Sequence, residues 1–158
     1  MLVPAILYKE EITKEFCKIF YTEDMLLECG DLTNGYPTIP DVQNAGDFDF
    51  AIVDDNNKLI GYLGYTIDYY SSRAYNFGLL SFDRGNMLIG KELFNKLEEL
   101  VATLHRVDWK MVSGNPAERS YDKFCNKYNG NKHILKDYIK DSKGNYRDYI
   151  IYEIIKEE

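Results

Sequence analysis

The sequence predicts a single α/β domain of the α+β kind, with a mixed sheet, spanning residues 1–158. Two observations predict it. The apolar residues switch repeatedly between a period of two and a period near 3.6, in the order β-α-α-β-β-β-α-β-α-β-β. The segment 74–113 also reads strand, turn, long helix, strand, and a strand–helix–strand unit requires a parallel pair inside an otherwise antiparallel sheet. At 158 residues, with 45% hydrophobic and 28% charged residues, the chain can bury a core without staples.

Taken in order, residues 4–8 (PAILY) are apolar and short, as in a first strand. Ile12, Phe16, Ile19 and Phe20 fall at helical spacing, and Thr22 is placed to cap a second helix carrying Met25, Leu26 and Leu27. Residues 30–46 (GDLTNGYPTIPDVQNAG) are loop chemistry, and a loop this long is either a cover over a site or equally an inert connection. A strand over 48–53, a turn over 54–58 and a strand over 59–70 make a hairpin. In the second of these strands Leu59, Gly61, Leu63, Tyr65 and Ile67 alternate with Ile60, Tyr62, Gly64 and Thr66.

Residues 74–82 form the next strand, and Asp83, Arg84, Gly85 and Asn86 break it. From Leu88 a helix is set by Leu93, Leu97, Leu100, Val101 and Leu104. Its start leaves backbone N–H groups unpaired with the positive helix end behind them, which suits a ligand phosphate near 84–91 or an ordinary strand–helix turn. A strand over 107–113 ends at Gly114-Asn115-Pro116, and a short helix follows with Tyr121, Phe124 and Tyr128 on its apolar side. Strands over 132–138 and 146–155 flank a hairpin turn at 141–145.

The net charge of −7 argues against nucleic acid as a partner and suits a cationic substrate. No run of about 18 apolar residues exists, so no membrane span is expected. The start MLVPAILYKEE lacks a basic leader region. Cys17, Cys29 and Cys125 are scattered without metal-ligand spacing, so reduced thiols in a cytoplasm, and no metal, are expected.

The element order resembles the GNAT family of N-acetyltransferases over essentially the whole chain, in a bacterial or phage-associated branch. The resemblance rests on the hairpin FAIVDDNNKLIGYLGY, on the turn and helix after residue 84, and on Val112-Ser113-Gly114-Asn115 followed by Tyr121-Asp122-Lys123. It implies acetyl-CoA as acyl donor and direct transfer to a primary amine, of a small molecule or a peptide. It also implies that the fourth and fifth strands splay, that Leu80, Ser81 and Phe82 offer backbone to the pantetheine arm, and that the following turn holds the pyrophosphate. That turn departs from the family pattern: Gly85 stands where Arg or Gln is usual, Leu88 stands where the first Gly is usual, and only Gly90 fits. Arg84 and Lys91 supply positive charge nearby, with Asn86 and Met87 between them.

By the same resemblance Tyr121 is the candidate proton donor to the departing thiolate, with Tyr128 as its rival. Read from the residues alone, either is equally a core tyrosine. Asn115 either bonds the pantetheine arm or caps the helix after Pro116. Candidate bases are Asp68, Tyr70, Asn76, Glu28 and Asp31, or a water chain. His105 and His133 fall in no catalytic pattern and are expected at the surface. The weakened glycine pattern keeps open a module that binds acyl-CoA or a protein partner without turnover, and Tyr-rich exposed strands keep open a homodimer.

Overall fold

A computed structural model describes residues 1–20, 38–141 and 143–156. Seven strands form one sheet in the order β1-β2-β3-β4-β5-β7-β6. They are β1 (Leu2–Pro4), β2 (Asp47–Val53), β3 (Leu59–Asp68), β4 (Arg73–Ser81), β5 (Arg106–Val112), β6 (Asn131–Lys140) and β7 (Tyr146–Ile155). The helices among the described residues are α1 (Lys9–Phe20), α2 (Met87–Thr103) and α3 (Glu118–Lys127). None is long and apolar enough to cross a membrane. The expected helix from Thr22 and the first part of the 30–46 loop lie outside the described residues.

The expected first strand over 4–8 is displaced. Leu2 and Val3 pair with Ile52 and Ala51, and Pro4 ends the strand. Ala5–Tyr8 is instead a turn of 3-10 helix that tucks Ala5 into the core and runs into α1. α1 covers one face of the sheet, where Ile12 and Phe16 pack on Ala51, Val53 and Leu80. α2 and α3 cover the other face. Ile89, Leu93, Leu97 and Leu100 recur at helical spacing and pack on Val107, Trp109 and Met111 with Tyr121 and Phe124.

All neighbouring strands are antiparallel except β4 and β5, which are parallel. Their closed ends are pinned by charge on the face opposite α2. Asp108, almost fully buried, accepts from Arg73 Nε at 2.6 Å and from a second Arg73 guanidinium nitrogen at 2.9 Å. Arg106 bridges Asp108 to Glu153, which also meets His133 Nε2 at 3.0 Å and Asn131 Nδ2 at 3.2 Å.

The hydrogen bond to His133 is the main cause holding the Glu153 carboxyl below its usual range, helped by Asn131 and Arg106 against the opposing effect of burial. A lowered folded value means that Glu153 stabilises the fold fully above its unfolded pKa of about 4.3 and loses that contribution as pH falls through the lower folded value. Urea unfolding from pH 7 down to pH 3 should therefore show Glu153→Gln less stable than the parent at neutral pH. The two should converge at the acid end; a gap of constant size would exclude this account.

Candidate functional site

The site is built by one irregularity. Between Gly64–Gly78 and Thr66–Tyr75 the β3–β4 register advances two residues on β3 and three on β4. The same three-against-two step separates Ala74–Val107 from Phe77–Trp109 in the β4–β5 pair. This is a β-bulge, and Asn76 takes the left-handed conformation at φ 52° that it requires. Pairing of β4 with β5 stops at Phe77–Trp109. Beyond it β4 stays with β3 as far as Ser81–Gly61, and β5 stays with β7 as far as Val112–Tyr149. The two halves of the sheet diverge, and β4 backbone past Phe77 has no strand on its β5 side among the described residues.

A cleft of about 640 Å³ opens at this divergence. Phe77, Gly78, Leu79 and Leu80 of β4 and Lys110 of β5 line it, with Asn76 at its bulge. Thr38 and Pro40 also line it, so the described end of the long loop lies along the cleft. A Cβ added at Gly78 would meet no protein atom within 4 Å.

The floor of the cleft carries a group that sequence reasoning did not single out. Asp47 and Asp49 of β2 lie opposite Thr66 and Gly64 of β3, and all four residues line the cleft together with Tyr62. Thr66 Oγ1 donates to Asp47 at 2.8 Å, and the Tyr62 hydroxyl donates to Asp49. Gln43 and Asn44, from the loop, donate to Asp49 and Asp47 at 3.0 and 3.2 Å. Burial, then the Asp49 charge, push the Tyr62 phenol well above its ordinary value, so it stays a donor. The available signal was DFDF at the start of β2: polar residues two apart, on the face where Ala51 and Val53 are buried further along.

Leu80 is buried beneath α1, Ser81 ends the pairing with β3, and Phe82 packs edge-on to Phe16 at 6.1 Å. Arg84 and Gly85 form the exposed tip of the turn into α2, and Met87 and Lys91 are exposed beyond it. Asn86 caps α2: its side chain accepts from the Leu88 N–H at 3.1 Å and donates to the Asp83 carboxylate at 2.9 Å. One of the N–H groups expected to face a phosphate is thus already used. Gly90 is different, since a Cβ there would also meet nothing within 4 Å. Packing does not demand a glycine at that place, although glycine costs a helix about 1 kcal/mol against alanine.

Tyr121 lies on the α2/α3 side of the divergence rather than among the cleft-lining residues. Its ring is 5.7 Å from that of Trp109, the last β5 residue paired with β4, and 5.9 Å from that of Phe94. Burial pushes its phenol far above the ordinary value, with no hydrogen bond contributing. Tyr128 lies one ring further out, 5.0 Å from Phe124, where Lys127 covers it. Asn115 accepts from the Ala117 N–H at 2.9 Å, an Asx turn ahead of α3, which starts at Glu118 without a side-chain cap. Asp68 is used by the β3–β4 turn: bonds from Ser71, then from Tyr70, hold its carboxyl low. Tyr70 and both histidines are exposed, and Cys125 is a buried thiol. Glu28, Asp31 and Cys29 lie outside the described residues.

The architecture is the GNAT-type acyltransferase fold. No protein-family model matches the chain, and no curated protein is similar to it in sequence. Solved structures do match. The spermidine/spermine N-acetyltransferase SpeG from Vibrio cholerae, in complex with manganese ions, superposes with a TM-score of 0.59 at 18% identity, over 72% of this chain and 67% of that one. The dodecameric structure of spermidine N-acetyltransferase from the same organism, in an intermediate state, gives 0.56 at 17% identity over 71% and 66%. At these identities the likeness is one of fold.

Proposed function

We propose that the chain is an acetyl-CoA-dependent N-acetyltransferase acting on a primary amine. The observation that carries this reading is the bulge-driven divergence of β4 from β5, which leaves β4 backbone unpaired along an open cleft. An extended pantetheine arm can pair there as an added strand. Gly78 and Gly90 keep space open at the cleft and at the start of α2 for a ligand to approach backbone.

Transfer forms a C–N bond and breaks a C–S bond. The amine loses a proton and the sulfur gains one. Tyr121, protonated throughout the neutral range, is the donor in this reading, and Tyr128 is too far out along α3 to compete. Leu80, Ser81 and Phe82 position the donor, and residues 84–91 with Arg84 and Lys91 receive its phosphates. Asn115 contributes by holding the β5–α3 turn. The scattered cysteines, with Cys125 a buried thiol, suit a reducing cytoplasm. The exposed edge strand β6, with Ile134 and Tyr138 uncovered, suits a homodimer.

Thermal denaturation with acetyl-CoA, beside CoA and ATP, tests the reading. Ligand at 100 times its Kd adds about 2.7 kcal/mol of stability. A clear rise in Tm with acetyl-CoA, abolished by Gly90→Glu, is expected. A second reading draws on the Asp83–Asn86 pair at the start of α2, which sets a carboxylate where an anion would bind: a partner-binding module without catalysis. An unchanged Tm at millimolar acetyl-CoA would favour it.

A further inference from the structure

We propose that Asp49, held in place by Tyr62 lying across Gly64, is the specificity-determining residue of the acceptor side, and that it selects amines carrying a second positive charge. The inference rests on the acetyl-transfer reading of the same cleft and adds to it the class of acceptor.

The device depends on a missing side chain. Tyr62 and Gly64 are two apart on β3 and therefore share a face. A Cβ built at Gly64 would fall 2.9 Å from the Tyr62 ring carbon that bears the hydroxyl and 3.2 Å from Asp49 Oδ1. Only glycine lets the phenol lie along the strand and reach the carboxylate directly opposite. A glycine inside a strand sacrifices packing and order, so its presence here points to the approach it permits.

The bonds that hold Asp49 and Asp47 come from Tyr62, Gln43, Thr66 and Asn44, all neutral. Among the described residues no Lys, Arg or His forms an ion pair with either carboxylate. Neither is offset by a cation among the described residues, and each has oxygen lone pairs left over. Alternate residues on one strand place them about 7 Å apart. Lys110, a cationic residue of the lining, sits on β5, across β3 and β4 from this pair. The cleft is thus anionic at one end and open at the other toward the diverging strands. A ligand that sets one ammonium against the Asp47–Asp49 pair and presents a second, deprotonated amine at the diverging strands a few methylenes away satisfies both ends. A monoamine satisfies one.

Calorimetric titration of the full chain with 1,4-diaminobutane and with n-butylamine tests this without requiring turnover. The diamine is expected to bind more tightly than the monoamine. Asp49→Asn should weaken the diamine about tenfold to a hundredfold, the weight of a charge-assisted hydrogen bond. Tyr62→Phe and Gly64→Ala should act in the same direction with smaller effect. In kinetics the Asp49→Asn change should appear in the KM for the diamine, with the KM for acetyl-CoA retained. Equal affinity for both amines, or a diamine affinity indifferent to Asp49→Asn, overturns the proposal. Diamine binding that depends on Asp49 while acetyl-CoA fails to bind would retain it and overturn acetyl transfer.

Discussion

Tyr121→Phe is expected to lower the turnover of acetyl transfer about a hundredfold, the lower end of what a positioned proton donor contributes. The change removes one oxygen and keeps the ring, so the contacts with Trp109, Phe94 and Tyr152 survive. The hydroxyl makes no hydrogen bond to the described residues, so its loss leaves no partner stranded. Stability and the Tm rise with acetyl-CoA should therefore match the parent. Because burial raises this phenol above 10, its ionisation should not cut activity at any pH up to 10 in the parent. Steady-state rates with saturating acetyl-CoA and a circular dichroism melt decide it. A turnover within twofold of the parent would transfer the proton-donor role to water.

Trp109→Ala is expected to have the largest effect on stability, about 3–5 kcal/mol, the range for emptying a buried aromatic site. Trp109 is 1% exposed and sits at the centre of the ring cluster, stacked on Tyr152 at 5.3 Å and tilted against Tyr121 at 5.7 Å. It is also the β5 partner of Phe77, the last pair before the strands diverge. Its removal should loosen the backing of Tyr121 and lower activity as well as Tm. Trp109→Phe refills part of the volume and should recover more than half of the stability. It also removes the indole Nε1, which has no hydrogen-bond partner among the described residues. The chain has one Trp, so unfolding of both variants has to be followed by far-ultraviolet circular dichroism rather than by fluorescence. A loss below about 1 kcal/mol for Trp109→Ala would mean that the cluster collapses into the space.

The elements were legible because their signals are local. Ile89, Leu93, Leu97 and Leu100 repeat on one helix face wherever the helix sits, and the Asn56–Asn57 and Lys143–Gly144 turns carry their own backbone preferences. Asn86, read in the turn before a helix, is found capping it, whereas Asn115 forms an Asx turn ahead of α3. The displaced first strand failed for an equally local reason: PAILY has strand composition, but its pairing partner on β2 is reached by Leu2 and Val3.

The site was only half legible. By itself, the sequence determined the mixed sheet, the βαβ unit with its parallel pair, and the glycine-bearing turn at the head of α2. It also contained the alternation that sets Tyr62, Gly64 and Thr66 on one face. Only the tertiary structure decided where the sheet opens and what lines the opening. The bulge at Asn76 exists as a mismatch against two neighbours at once, β3 on one side and β5 on the other. The Asp47–Asp49 pair becomes a feature of the cleft only when β2 registers against Gly64 and Thr66. Both are long-range pairings, and a period of two along one strand specifies a face without specifying what stands opposite it.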